Sequence, residues 1–272
     1  MSFLDPGMVA VLLLLGCCTG FLAGLLGIGG GMLLVPFLTF IFTHQGVPGG
    51  AAVKVAIATS MATILFTSIS SVRAHHRRGA VRWELVRRLA PGIVLGGLIS
   101  GAGVFSLLKG AALALVFAAF VGFSATQMLI DKKPTPSRQM PGPAGAGLAG
   151  GVIGFVSGLV GAGGAFISVP FMTWCNVAMH TAVATSSALG FPIALANTVG
   201  YVVAGWNQPA VMPGVLGYVS LPAMGVIAAA SVLTAPLGAK VAHSLDRQQL
   251  KRVFAVLLYG LAGYMAWRGL TA

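Results

Sequence analysis

The sequence predicts an all-α integral membrane protein of two inverted-topology repeats, each a broken, re-entrant Gly-rich helical hairpin followed by three transmembrane helices, about eight to ten membrane segments in all. Three observations predict it. Of the 272 residues 57% are hydrophobic and 7% charged, with a mean hydropathy of +0.95, so the chain cannot clothe a soluble surface with polar groups. Long windows lack Arg, Lys, Asp and Glu altogether: one runs from Lys54 to Arg73, another from Arg138 to Lys240. Finally, the chain repeats itself. Gly20 to Thr39 (GFLAGLLGIGGGMLLVPFLT) matches Gly154 to Thr173 (GFVSGLVGAGGAFISVPFMT) at 11 of 20 positions, with the glycine run and Val-Pro-Phe in register.

The N-terminal repeat spans residues 1–130, a polar, Pro-rich linker residues 131–143, and the C-terminal repeat residues 144–272. Met1 to Gly7 lacks the basic stretch of a cleavable signal, so Met8 onward reads as a retained first membrane segment. Beyond the glycine blocks, Lys54–Ser60 aligns with His180–Ser186, Pro91 with Pro222, and Val116–Ala118 with Val253–Ala255.

Topology follows from charge. Arg73, Arg77, Arg78, Arg82, Arg87 and Arg88 put their loop on the cytoplasmic side; Lys132, Lys133 and Arg138 do the same for the linker, and Lys240, Arg247, Lys251 and Arg252 for the last loop. The uncharged Gly205–Gly214 stretch belongs outside. Between linker and outer loop the chain crosses an odd number of times in two blocks, residues 144–175 and 181–204, so one block returns to its own side. Some 32 helical residues would span about 48 Å, too long for one crossing of a core of about 30 Å and short for two. A hairpin broken at glycine fits, and Met8 to Phe42 forms its mate, which places both termini in the periplasm. A single, steeply tilted crossing by each block would instead make the halves parallel.

The breaks mark the candidate site. An interrupted membrane helix leaves backbone N–H groups unpaired, which is tolerated only where the break is buried in protein or lines a cavity. Gly27, Gly29, Gly30 and Gly31, with Gly161, Gly163 and Gly164, let the backbone turn and approach a ligand, and a half-helix starting there aims its positive end at an anion. Pro36 and Pro170 follow in each half and weaken helix hydrogen bonding nearby. Close packing by small residues is the competing explanation for these glycines. Lys54 and His180 form a symmetric pair able to carry positive charge, and their matching positions point to the substrate pathway, though Lys54 can equally snorkel to the interface. Thr59, Ser60, Thr185, Ser186 and Ser187 offer hydroxyls to an oxyanion or to a helix carbonyl, and Asn197 offers an amide inside a crossing.

The only acids, Asp5, Glu84, Asp131 and Asp246, lie in terminal or loop positions. A cation transporter or a carboxylate proton relay needs an acid at membrane depth, so a small anionic substrate is favoured, and proton coupling would fall to His44, His180 or Lys54. The net charge of +12 sits in short loops rather than on an aromatic-bearing surface, which argues for topology and the lipid bilayer and against nucleic acid as a partner. Cys17, Cys18 and Cys175 lie in or beside apolar segments without metal-ligand spacing, so no metal site and no resident cofactor are expected. Catalytic residues are not expected either, because an enzyme needs a nucleophile, base and acid that the membrane segments do not supply. Oligomeric state is not readable.

With the twin glycine motifs and the His-Thr-Ala-Val-Ala-Thr-Ser segment in view, the chain resembles the TauE/SafE family of sulfite exporter-like permeases, also called the toluene sulfonate uptake permease family. The resemblance covers nearly the whole chain. It implies a secondary transporter moving sulfite, sulfonates and related anions across the bacterial inner membrane by alternating access. A passive anion channel of the same architecture is the alternative, and a membrane-embedded enzyme a more distant one.

Overall fold

The computed structural model describes residues 5–26, 30–130, 138–241 and 247–271. Ten helices account for nearly all of them. The first half carries α1 (Pro6–Leu26), α2 (Gly31–His44), α3 (Gly49–His76), α4 (Trp83–Leu107) and α5 (Gly110–Ile130). The second carries α6 (Pro143–Val160), α7 (Ala165–Trp174), α8 (Met179–Gly205), α9 (Leu221–Val241) and α10 (Arg247–Thr271). Among the described residues eight helices are long and apolar enough to cross a membrane, four in each half, while α2 and α7 are shorter. In hydrocarbon a helix satisfies its backbone polar groups within itself, so these Ala-, Leu- and Val-rich runs have no competing conformation.

Each Gly-rich block breaks into two helices at its glycines, as expected, but the arms are unequal. The first arms, α1 and α6, have 21 and 18 residues; the second arms, α2 and α7, have 14 and 10. At 1.5 Å per residue the second arms reach about 21 and 15 Å, short of a full crossing. Two departures from an all-helical reading occur. A two-stranded hairpin, β1 (Val215–Leu216) and β2 (Val219–Ser220), folds the loop before α9. Within α4 the segment Ile99–Val104 is π-helical.

The halves grip each other. α1 packs on α9 of the other half, α6 packs in the same manner on α4, and α3 crosses α8 at the centre. Small residues make the close approaches: a methyl on Gly154 would collide with the carbonyl of Ile93, and one on Gly20 would collide with that of Ser231. Ile93 and Ser231 therefore hold equivalent places, and in the same register Arg82 is equivalent to Ser220. This corrects the Pro91–Pro222 pairing. Pro222 stands in the first turn of α9, where its missing N–H costs nothing, whereas Pro91 is inside α4, so the two prolines do different jobs.

The backbone N–H of Ser220, the last residue of the β-hairpin between α8 and α9, donates to Thr59 Oγ1 at 3.0 Å. That of Arg82, just past α3, donates to Thr185 Oγ1 at 3.1 Å. Each threonine, in the first half of its helix, thus meets the connection that follows the partner helix, so α3 and α8 run antiparallel.

Packing this tight sets an expectation. Gly96 on α4 faces the carbonyl of Gly151 on α6, with no room for a side chain. Gly96→Leu is expected to lower the melting temperature of purified protein in detergent, since overpacking of this kind costs about 1–3 kcal/mol. Gly122→Leu, on α5 with nothing within 4 Å of an added methyl, should leave it unchanged.

Candidate functional site

The two glycine breaks meet at the centre. Gly30 ends the first break with φ 71°, Gly161 opens the second with φ 70° and Gly164 closes it with φ 75°, left-handed conformations that a side chain would strain. Gly30 doubles back beside the Thr19 carbonyl on α1, and Gly164 beside Ser157 and Ile153 on α6, so each second arm starts next to its own first arm. A methyl on Gly31 would collide with the carbonyl of Gly161, which puts the breaks of opposite halves in direct contact. Ser60 Oγ stitches the junction, 3.4 Å from the Gly31 carbonyl and 3.2 Å from that of Gly161.

Beside this junction lies a narrow cleft of about 20 Å³, room for about one water molecule in this conformation. α3 contributes Ile64, Thr67, Ser68 and Ser71; α8 contributes Ser186, Ser187 and Gly190; Ala23 and Gly163 complete it. These α3 residues precede the basic loop and these α8 residues follow the linker, so the cleft lies in the half of the protein nearer the basic face. Five of its nine lining residues carry a hydroxyl, the other four are Ala, Ile and two Gly, and none is charged. Ser186 Oγ pairs with Ser168 Oγ of α7 at 2.7 Å, and Thr67 Oγ1 with Ser231 Oγ of α9 at 2.8 Å. Ser187 bonds back to the Val183 carbonyl at 3.1 Å. A hydroxyl held this way still has a lone pair or a rotatable proton for a guest.

The residues anticipated from sequence fall into separate groups. Gly163 and Ser186 line the cleft, while Gly30, Gly31, Ser60, Gly161 and Gly164 build the junction behind it. Thr59 and Thr185 are engaged in tying the halves together. Gly27 and Gly29 lie outside the described residues. Lys54 and His180 are far apart, near the starts of antiparallel helices. Lys54 Nζ donates to the Ser106 carbonyl at 3.1 Å and lies 5.8 Å from the ring of Phe105 and 5.5 Å from that of Tyr218. Burial pushes the Tyr218 phenol above its ordinary value, so it stays neutral beside the lysine. His180 is exposed in the first turn of α8. Asn197 is fully buried on α8 beyond the cleft, its amide donating to the carbonyls of Ile193 at 2.8 Å and Gly154 at 3.3 Å.

Sequence reasoning missed Thr67, Ser68 and Ser71. The signal was present: Thr67-Ser68-Ile69-Ser70-Ser71 is a hydroxyl run inside a crossing, with no mate in the second half to draw attention to it.

A family model described as Sulfite exporter TauE/SafE matches residues 12–265, taking in both glycine breaks and every helix that lines the cleft. The chain belongs to the TauE/SafE family. Curated relatives agree along the whole length. A probable membrane transporter protein of Haemophilus influenzae is 35% identical over 255 residues, covering 93% of this chain and 96% of the relative. One from Methanocaldococcus jannaschii is 29% identical over 263 residues, covering 92% of each, and YunE of Bacillus subtilis, named likewise, is 28% identical over 72% of this chain and 78% of its own. No solved structure matches the chain. This TauE/SafE member is thus a multi-pass membrane protein of a transporter family.

Proposed function

We propose that this chain is a secondary transporter that carries small sulfur-containing anions, such as sulfite or organosulfonates, across the inner membrane by alternating access. The observation that carries the reading is the cleft itself: an uncharged, hydroxyl-lined space at membrane depth, set against two broken helices whose tips touch. Hydroxyls and helix N-termini can replace the hydration of a small anion without a countercharge. The second arms, α2 and α7, begin at the junction and present their N-terminal ends there.

The alternating-access mechanism draws support from the exchange symmetry of the contacts. α1 on α9 and α6 on α4 are equivalent packings, and α3 and α8, equivalent helices, are antiparallel, as inverted-topology repeats require. Two such halves can reach two arrangements related by exchanging their roles about a pseudo-two-fold axis in the membrane plane. By the charge rule the Arg73–Arg88 loop and the linker are cytoplasmic, so the cleft lies on the cytoplasmic side.

Uptake of radiolabelled sulfite and methanesulfonate into proteoliposomes tests the reading, with phosphate as control and with or without a pH gradient. Accumulation above the outside concentration, driven by the gradient, identifies a transporter. Flux that only dissipates the anion gradient identifies a channel, and no flux of either sulfur anion by folded protein removes the substrate assignment.

The place of Lys54 gives a further expectation. Because it latches α3 to the end of α4 outside the cleft, Lys54→Met should destabilise the protein by about 1 kcal/mol, the scale of an exposed cation–π contact, in a detergent melting experiment. Its KM for the anion should stay near the wild-type value. A large rise in KM would instead put Lys54 on the substrate path.

A further inference from the structure

The cleft has an equivalent in the other half of the molecule, and it is closed. In the register of the repeat Ala23 corresponds to Ser157, Ser71 to Asn197, and Ser186 to Ser60, so the same space related by the halves' exchange lies between α6, α8 and α3, with α4 alongside where Gly97 abuts the Asn197 amide. There Asn197 and Ser100 are 0% exposed and Ser157 is 1% exposed, whereas Ser68, Ser71 and Ser187 of the open cleft keep 6%, 5% and 7%.

Three polar atoms are trapped in the closed space. Asn197 Oδ1, Ser100 Oγ and Ser157 Oγ are buried without a hydrogen-bond partner, as is Ser71 Oγ, the mate of Asn197 on the cleft side. Asn197 Oδ1 and Ser100 Oγ lie close together, since a methyl on Gly158 would collide with both, and Ser157 Oγ, on the residue next to Gly158, faces the second break, 3.0 Å from where a methyl on Gly164 would stand. An unpaired buried oxygen costs about 1–3 kcal/mol, so three in one place are not a resting arrangement chosen for stability. The backbone beside them is also unusual. Ser100 belongs to the π-helical segment Ile99–Val104, a form that recurs at functional sites because it offers a second helical packing at small cost. Gly101 of that segment sits against Asn197 O and the Gly200 Cα, so a shift of the segment moves directly against α8.

We propose that Ser100, Ser157 and Asn197 line the outward half of the anion path, closed in this conformation, and take up water and substrate when the cleft on the basic face closes. The inference deepens the alternating-access reading and rests on it. It assigns Ser100 and Ser157 hydroxyls as donors to the same small oxyanion, with the Asn197 amide beside them, and it makes the π-helical segment the moving part of the outer gate.

The test uses single cysteines at Asn197 and at Ser71 in a chain with Cys17, Cys18 and Cys175 replaced by serine, treated with a cationic, membrane-impermeant methanethiosulfonate from either side of oriented vesicles. Methanesulfonate flux is measured on the same preparations. Asn197→Cys should react from the side opposite the basic loop, and filling the inner cleft with Ser68→Trp should speed that reaction at least about tenfold. Ser71→Cys should react from the basic side and be slowed by the same tryptophan. Flux by Asn197→Cys protein with no outer-side reaction, with or without the tryptophan, would overturn the proposal while leaving the transport reading intact. Opposite shifts of the two cysteines in protein that carries no sulfur anion would uphold the gate and remove the cargo assignment instead. Ser100→Cys repeats the measurement should Asn197→Cys fail to fold.

Discussion

Gly31→Ala is expected to reduce anion flux by one to two orders of magnitude although it adds a single methyl group. Gly31 is an ordinary helical residue at the start of α2, without a positive φ, so alanine meets no backbone strain there. What the methyl meets is the carbonyl of Gly161 on the opposite half, with the Ala162 Cα at 3.1 Å. Neither neighbour is the flexible end of a side chain, so the two breaks must move apart. Overpacking costs about 1–3 kcal/mol, and if it falls on one of two transport conformations it shifts their balance by about tenfold to more than a hundredfold. The repeat supplies an internal comparison, because the equivalent residue in the second half is Ala165, which is buried and accommodated. Flux per folded molecule in proteoliposomes checks the expectation, and Gly122→Ala on the open side of α5 serves as the silent control. Unchanged flux in Gly31→Ala would mean that the junction does not need to stay closed-packed for transport.

Ser187→Asp is expected to abolish anion transport outright. Ser187 lines the cleft, 7% exposed, and its neighbours there are hydroxyl-bearing, glycine and aliphatic residues with no cation to compensate a carboxylate. A fixed negative charge at membrane depth costs several kcal/mol to bury and repels the anion over the few ångströms that separate them, where the low dielectric strengthens the effect. Ser187→Asn, similar in size and neutral, separates charge from bulk and should retain flux within roughly an order of magnitude, the loss expected for displacing one hydroxyl contact. Equal loss in both variants would indicate crowding rather than charge. Retained flux in Ser187→Asp would place the anion elsewhere.

The fold was legible in the sequence to the extent that the bilayer leaves few choices. Charge-free apolar runs, the duplicated glycine block and the Arg-rich loop led to membrane helices, to two halves and to breaks at Gly30 and Gly161–Gly164. Register was less legible where the signal was a single residue type: Pro91 and Pro222 looked like mates, but contacts through Gly20 and Gly154 set α4 against α9 differently. The π-helical segment escaped notice because Ile-Ser-Gly-Ala-Gly reads equally well as a regular small-residue helix.

For the site, glycine chemistry was informative and hydroxyl chemistry was not. A positive φ or a backbone collision is a demand that only glycine meets, so Gly30, Gly31, Gly161 and Gly164 stood out. Thr59, Ser60, Thr185 and Ser186 look alike in sequence, yet the threonines accept backbone N–H groups from across the molecule, Ser60 bridges the junction and Ser186 faces the cleft. Which way a hydroxyl points depends on helix rotation, and a helix with apolar residues all round gives no amphipathic stripe from which to read it. The matched positions of Lys54 and His180 pointed to the substrate pathway; the antiparallel helices carry their first turns to opposite ends of it.

Protection of a cysteine in the cleft tests the central claim most directly. In a background with Cys17, Cys18 and Cys175 replaced by serine, Ser187→Cys is labelled from the basic side by a cationic methanethiosulfonate, with and without saturating methanesulfonate. The account predicts that the sulfonate slows labelling in a saturable manner, at concentrations that match its KM for flux, while sodium chloride at equal ionic strength does not. Labelling that is indifferent to the sulfonate, in protein that still transports it, would contradict the account and move the anion out of the cleft where the two broken helices meet.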